Sequence, residues 1–344
     1  MSDLAIETHD LSRRFGRAVA VDGLNLGVRR GETFGLVGPD GAGKTTILRL
    51  LAAVMAPSGG WAQVAGHDTR QQAEAIRGQV GYMPQRFSLY GDLTVRENMD
   101  FFASIFGVSR VQRELRFGEL LGFTGLDGFQ NRRAGQLSGG MQKKLGLACT
   151  LIHRPAIVLL DEPTTGVDPV SRREFWDILS GLRLEGITVF VSTPYMDEAE
   201  RCSRVGLLYQ GRLVVCDEPA RIRQMTPGQL IELRPDALAG TSGQAVEPSS
   251  AGAGAGEQPL RLARAAVADL EGVLETQTYG ELLHLFVDDA TVRLPAIEAA
   301  LAAHGLTAQG VRTTRPRLEE AFISLVRRQS ACPLPQGGSA KTGV

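Results

Sequence analysis

Residues 33–56 read TFGLVGPDGAGKTTILRLLAAVMA, and the order of textures in this stretch decides the fold. TFGLVG is an apolar run of strand length, whereas TTILRLLAAVMA spaces its apolar residues as one face of a helix does. A glycine-rich turn joins them, so the stretch reads strand, loop, helix. Residues 38–45, GPDGAGKT, fit the pattern G-x-x-x-x-G-K-[ST] in full. Glycines in such a turn let backbone N–H groups converge on phosphate oxygens, and the helix that follows offers them its positive end. Gly38, Pro39, Asp40, Gly41, Ala42 and Gly43 therefore form a candidate phosphate cradle. Lys44 would reach the β and γ phosphates, Thr45 would offer its hydroxyl to Mg2+, and Thr46 adds another hydroxyl nearby.

A second constellation has to supply metal and water chemistry. Residues 156–163, AIVLLDEP, place Asp161 and Glu162 at the end of an apolar strand, where a buried sheet presents its ligands. Asp161 is expected to hold Mg2+, usually through water, and Glu162 to polarise the attacking water. Phosphoryl transfer asks for little covalent help, so positioning and charge stabilisation carry the catalysis.

Outward from these motifs, residues 1–225 alternate short strand-like runs with helical patterns, the signature of an α/β core with mostly parallel strands. IVLL (157–160) and ITVFVS (187–192) are further buried strands, and RVGLLYQGRLVV (204–215) reads as a hairpin turning at Gln210 and Gly211. Between residues 87 and 150 the texture is mostly helical, with 94–106 and 111–121 as candidate helices, which marks a helical subdomain inserted in the core. Residues 239–259, AGTSGQAVEPSSAGAGAGEQP, cannot bury much and read as a flexible linker. Strand-like and amphipathic pieces on either side of it suggest a small α/β accessory domain over 226–328, followed by a loose polar tail, 329–344. The expected architecture is thus α/β: a parallel core sheet with an antiparallel β subdomain, a helical subdomain and a small C-terminal domain.

Composition narrows the function classes. At 344 residues and 43% hydrophobic, the chain can bury at least one full core. A formal net charge of −1 gives no global basic field, so neither nucleic acid nor an anionic surface is an expected partner. The four cysteines, Cys149, Cys202, Cys216 and Cys332, are scattered without a CxxC pair, as in a reducing compartment. MSDLAIETHD lacks the basic and apolar regions of a secretory signal, and no apolar run approaches the ~20 residues that span a bilayer. Any membrane work therefore requires a separate spanning polypeptide.

Between the two motifs lies QLSGGMQKK, residues 136–144, and here the chain resembles the ABC (ATP-binding cassette) ATPases. Leu137 to Gln142, LSGGMQ, looks like their signature motif, with Ser138, Gly139 and Gly140 opening a helix toward an anion. In that family each signature closes on the ATP held by a partner's phosphate loop, so one chain carries two half-sites and ATP joins two cassettes. The resemblance implies that Ser138, Gly139, Gly140 and Gln142 contact nucleotide, and that Phe15 stacks on adenine. It further implies that Gln85, in YMPQ, senses Mg2+ and the attacking water, and that Asp168, in TTGVDP, crosses the dimer interface. Asp40 stands where the family usually has asparagine, which adds negative charge near the nucleotide. The likeness covers residues 4–219 and is greatest to cassettes of multidrug exporters that work with ABC-2-type transmembrane permease subunits. It implies ATP and Mg2+ as cofactors, a second cassette as partner, and a cytoplasmic position peripheral to the inner face of the membrane.

One residue departs from the pattern. After a strand ending in Ser192 and Thr193, the family has a histidine that contacts the γ-phosphate; this chain has Pro194, which has no side-chain donor. Locally, Thr193 is expected to cap a helix, with Pro194 at its first position and Asp197 and Glu198 in its first turn. Two schemes follow: pairing with a histidine-bearing second cassette, or a homodimer in which Glu162 suffices. Set against the exporter ATPase are a soluble ABC protein acting on ribosomes or DNA and a nucleotide-binding regulatory partner with negligible turnover.

Overall fold

A computed structural model of the chain describes residues 3–86, 89–226, 228–237 and 257–331, in two compact units, Met1–Pro219 and Ala220–Val344. The strands of the first unit are β1 (Leu4–Phe15), β2 (Ala18–Arg29), β3 (Thr33–Val37), β4 (Gly59–Val64), β5 (His67–Asp68), β6 (Val80–Met83), β7 (Ile157–Asp161), β8 (Thr188–Thr193), β9 (Arg204–Tyr209) and β10 (Arg212–Asp217). Its helices are α1 (Lys44–Leu51), α2 (Ala73–Gln79), α3 (Val95–Ile105), α4 (Arg110–Thr124), α5 (Gly139–Thr150), α6 (Pro169–Leu184) and α7 (Met196–Ala199), and α8 (Pro219–Gln224) lies at the division.

The apolar runs become the middle of a sheet ordered β10-β9-β3-β8-β7-β6, in which every pair is parallel except β10 with β9. Every residue of β3, β7 and β8 is buried, as expected of strands covered on both faces. Phe34 of β3 is registered with Phe190 of β8, and their rings stack 5.2 Å apart within the core. Register also sets where the chemistry falls. Val37 pairs with Thr193 and Asp161 with Ser192, so β3, β7 and β8 end level and release their loops on one edge of the sheet.

A second, antiparallel sheet, β2-β1-β4-β5, packs into the same hydrophobic core together with α1. The 204–215 segment is the expected hairpin, and both of its turn residues, Gln210 (φ 48°) and Gly211 (φ 78°), adopt the left-handed conformation of a type I′ turn. The inserted helices begin where local chemistry dictates. Thr94 accepts from the Glu97 N–H while Glu97 reaches back to the Thr94 N–H, a complete capping box for α3.

The helix start after β8 differs from expectation. Thr193 remains in the strand because it pairs with Val37, and α7 begins only at Met196, with Tyr195 at the cap position. Thr193 Oγ1 accepts from the Tyr195 N–H at 3.0 Å, so Pro194 occupies the bend between strand and helix and is not a helical residue.

In the second unit, β11 (Gln229–Ala237), β12 (Val273–Tyr279), β13 (Leu282–Val287) and β14 (Leu306–Thr314) form an antiparallel sheet ordered β12-β13-β11-β14. It is accompanied by α9 (Glu257–Val267), α10 (Ala290–Ala303) and α11 (Leu318–Ala331). Alternation along β13 sends Leu283, Leu285 and Val287 into a core with Ala263 and Val267 of α9 and Ile297 and Leu301 of α10. Helix α9 starts inside the stretch read as a linker to residue 259, with Pro259 tolerated in its first turn, and α11 runs past residue 328. Residues 239–256 of the expected linker and 332–344 of the expected tail lie outside the described residues.

The two tryptophans, Trp61 and Trp176, belong to the first unit, so their fluorescence reports its unfolding. Phe190→Ala, which empties a fully buried site in the central sheet, should lower the stability of that unit by about 3–5 kcal/mol in urea titrations followed by tryptophan emission.

Candidate functional site

The loop from Gly38 to Gly43 is shaped by close approaches that only glycine permits at two points. A methyl on Gly43 (φ 107°) would lie 2.3 Å from the Ala20 carbonyl oxygen of β2, and one on Gly38 would lie 2.2 Å from the Leu208 oxygen of β9. Gly43 is the left-handed cap of α1, and no side chain of that cap residue competes for the N–H groups of the helix's first turn. Pro39, Asp40 and Gly41 are exposed, Gly38 and Ala42 buried, and Thr46 partly buried in the first turn.

Lys44 is 4% exposed, and its ammonium is fully engaged by the protein. Nζ donates to the Gly38 oxygen at 2.8 Å and the Pro39 oxygen at 3.1 Å, and lies 3.1 Å from Glu162 Oε1. The other oxygen of Glu162 accepts from Gln85 Nε2 at 2.8 Å and from Thr165 Oγ1 at 3.4 Å. Glu162 is thus held between the phosphate-loop lysine and Gln85, on a backbone with φ 45°, a left-handed conformation unusual outside glycine. Its N–H donates to the oxygen and the hydroxyl of Ser192, both from β8.

Asp161 lies beside it. Thr45 Oγ1 donates to Asp161 Oδ1 at 3.1 Å and Ser192 Oγ donates to the same atom at 2.7 Å. Asp161 Oδ2 is buried and has no hydrogen-bond partner among the described residues. Burial pushes the Asp161 carboxyl above the ordinary carboxylate range against those two hydrogen bonds, and the neighbouring Glu162 charge acts in the same direction. Lys143 donates to the Gln85 oxygen at 2.9 Å; burial holds its ammonium below the ordinary lysine value, while Asp161 and Glu162 pull it back up.

A divalent cation fits this donor set. An unsatisfied carboxylate oxygen next to a threonine hydroxyl is what an oxygen-ligated, Mg2+-like site would draw from the protein, with water and phosphate supplying its remaining oxygens. Among the described residues no cluster of three or more His, Cys, Asp or Glu side chains could hold a metal alone.

Lys44, Thr45, Gln85, Asp161 and Glu162 are therefore joined in one hydrogen-bonded cluster. The carbonyls of Gly38 and Pro39 join it through Lys44, whereas Phe15, Ser138, Gly139, Gly140, Gln142 and Asp168 are placed elsewhere. Ser138 caps α5, its hydroxyl accepting from the Met141 N–H at 3.3 Å, and Gln142 Nε2 donates to the Ala134 oxygen at 3.1 Å. Gly139 is exposed, and Gly140 is buried where a methyl would meet Ser171 of α6 at 2.6 Å. Asp168 caps α6 by accepting from the Ser171 and Val170 N–H groups, and the bond from Ser171 in particular holds its carboxyl below the ordinary range. Phe15 ends β1, 45% exposed, with the Arg13 guanidinium 4.7 Å from its ring centre. Its register partner is Ala18, two residues before Ala20, which abuts Gly43. Sequence reasoning missed Ser192 and Lys143 as members of the cluster. Ser192 had a signal, a hydroxyl near the end of an otherwise apolar buried strand; Lys143 on a solvent-leaning helix turn had none.

This fold, with its phosphate loop, strand-end acids and separate capped helix, defines a P-loop nucleotide-binding cassette. An ABC transporter family model matches residues 21–165. The chain is 37% identical over 344 residues to the probable multidrug ABC transporter ATP-binding protein YbhF of Escherichia coli K12, covering 99% of this chain and 55% of that protein. It therefore spans about half the length of that relative. It is 32% identical to the daunorubicin resistance ATP-binding protein DrrA2 of Streptomyces coeruleorubidus, over 94% of this chain and 96% of the relative. A Nod factor export ATP-binding protein I of Paraburkholderia xenovorans is 40% identical over 64% of this chain and 73% of its own. Among solved structures, an ATP-binding subunit of an ABC transporter superposes with a TM-score of 0.58 at 28% identity, over 64% of this chain and 92% of that one. The MJ0796 cassette dimer bound to ADP and Pi superposes with 0.57 at 26% identity, over 62% and 98%. The chain belongs to the ABC transporter family, as an ATP-binding cassette.

Because folding favours the protonated form of Asp161, its contribution to stability is present at low pH and is lost as pH rises through its raised folded value. Asp161→Asn keeps an acceptor for Ser192 and Thr45 and removes the buried charge. It should therefore melt above the wild type at neutral pH, with the gap narrowing in thermal scans as pH falls through the raised folded value of Asp161.

Proposed function

We propose that this chain is the ATP-binding and ATP-hydrolysing subunit of an ABC exporter, coupling nucleotide-driven closure of two cassettes to transport by separate ABC-2-type permease subunits at the inner face of the membrane. The observation that carries the catalytic part is the continuous cluster from Lys44 through Glu162 to Gln85, with Thr45, Asp161 and Ser192 alongside. Relatives named for multidrug transport, daunorubicin resistance and Nod factor export support export over action on ribosomes or DNA. Among the described residues no helix is long and apolar enough to cross a membrane.

The chemistry follows from which groups compete. A γ-phosphate entering the loop offers Lys44 Nζ a stronger partner than two carbonyls, and it draws the ammonium away from Glu162 Oε1. Glu162 then keeps Gln85 and Thr165 on Oε2, which leaves Oε1 to orient a water and accept its proton as the water oxygen bonds to the γ phosphorus and the bridging P–O bond breaks to release ADP. Thr45, Asp161 and Gln85 would hold Mg2+, which when bound neutralises charge building on the phosphate oxygens. Gly38 to Gly43 and Thr46 wrap the phosphates and Phe15 supplies the adenine platform. Ser138, Gly139, Gly140, Gln142 and Asp168 complete the site of a second cassette.

Pro194 removes a donor at the place where the family has its histidine, and losing one such donor costs roughly 10²–10³ in rate. Slow turnover as a homodimer, or pairing with a histidine-bearing cassette, follows from it. With purified chain, Mg2+ and ATP, phosphate release should be measurable and should fall about 100-fold or more in Glu162→Gln, with nucleotide still bound. Pro194→His should raise turnover by about tenfold or more. Absence of turnover sensitive to Glu162 would refute the ATPase reading, and an unchanged rate in Pro194→His would refute the account of that position.

A further inference from the structure

Glu198 is a carboxylate in α7, 1% exposed, that none of the catalytic steps above employs. Its Oε1 accepts from Thr164 Oγ1 at 2.6 Å and its Oε2 from Thr193 Oγ1 at 2.7 Å; both threonines are themselves buried. Arg172 of α6 approaches Oε1 through Nε at 3.5 Å, lies 4.0 Å from Asp197 Oδ2, and places its guanidinium carbon 4.4 Å from the centre of the Tyr195 ring. Four segments therefore meet at one buried charge: the turn after β7, the end of β8, α6 and α7.

Resting on the ATPase reading, we infer that Glu198 is a positioning residue for the hydrolytic step, tying the turn that carries Glu162 and Asp168 to the exit of β8. Thr164 is in the first turn after Glu162, where the Thr165 N–H donates to the Glu162 oxygen and the Val167 N–H to the Thr164 oxygen. Asp168 follows directly and caps α6. Anchoring Thr164 therefore fixes the backbone on both sides of it. The opposite arm fixes Thr193, whose hydroxyl also receives the Tyr195 N–H. Pro194 lies between these two tethered residues and brings no side-chain hydrogen bond of its own, so the path of the chain at the γ-phosphate edge is set by Thr193 through Glu198 and by Tyr195 through Arg172. Energy alone does not account for a carboxylate here. Burying a carboxylate is costly even with the Arg172 guanidinium 3.5 Å away, and an apolar residue would pack a four-residue helix with less penalty. Two hydroxyl arms with defined directions supply what an apolar residue lacks, a unique spacing between the two loops.

The test uses the full chain with three readouts: affinity for a fluorescent ATP analogue, steady-state phosphate release, and hydrogen exchange of peptides spanning 163–168 and 38–46. Glu198→Ala should leave nucleotide affinity within about twofold and lower kcat about tenfold or more. It should speed exchange in 163–168 while leaving 38–46 unchanged. Glu198→Gln, which retains an acceptor for one hydroxyl and a donor for the other, should recover a large part of kcat. Wild-type kcat in Glu198→Ala, affinity falling in step with kcat, a glutamine variant as slow as the alanine one, or unaltered exchange in 163–168 would each overturn the assignment. Should Glu198→Ala not fold, Thr164→Val and Thr193→Val each remove one arm, and the same outcomes decide. If the wild type lacks turnover sensitive to Glu162, the ATPase reading fails by itself, and the exchange comparison still decides whether Glu198 joins the two loops.

Discussion

Parallel pairing of β3 with β8 and of β8 with β7 is the constraint on which everything else in the first unit depends. Hydrogen bonding in register carries Val37 level with Thr193 and Ser192 level with Asp161. Three chain segments far apart in sequence then leave the sheet on the same edge, and each begins with the residues that matter: the phosphate loop, the acidic pair, and the bend at Pro194. A slip of one residue in either pairing would turn Asp161 or Ser192 to the opposite face of the sheet and separate groups now 2.7 Å apart. The fully buried apolar residues of these strands, headed by the stacked Phe34 and Phe190, make such a slip costly.

That edge concentrates opposite charges away from the surface. Lys44, Glu162 and Asp161 are all buried, with Lys143 partly so, and the protein meets their needs by sharing partners. Glu162 balances Lys44, Gln85 links Glu162 to Lys143 through its side chain and its backbone oxygen, and Ser192 serves both acidic residues. Among the described residues the arrangement is complete except at Asp161 Oδ2, so on the proposed reading a phosphate would enter by exchanging partners and a cation would meet that open oxygen.

Much of this was legible in the sequence, and the reasons differ by residue. The loop from Gly38 to Thr46 could be read because its motif demands glycine at fixed spacing, and Gly38 and Gly43 do sit where a side chain would strike backbone; Asp161 and Glu162 could be placed at a strand end because an apolar run precedes them. The bend at Pro194 was misread as a helix start. Serine, threonine and proline ahead of acidic residues satisfy local capping rules, but strand pairing held Thr193 in the sheet and Glu198 took its hydroxyl. Glu198 itself was invisible as a buried group, because in DEAE it has the look of an exposed helical acid. Only the meeting of Thr164, Thr193 and Arg172, separated along the chain, puts it inside. The edges of α9 and α11 shifted by a few residues because composition marks a linker without marking where helix pairing begins.

The left-handed backbone of Glu162 has a consequence for how this site can vary. A non-glycine residue at φ 45° carries a strain of roughly 1–3 kcal/mol that the surrounding structure must hold. Glycine or asparagine would adopt that conformation more readily, so the substitutions that best relax the fold at this position are ones that abolish its carboxylate. If Glu162 is the proposed general base, stability and turnover pull in opposite directions at a single residue. On the proposed role of Glu162, a screen of this chain for thermostability alone would be drawn toward cassettes that bind nucleotide without turning it over.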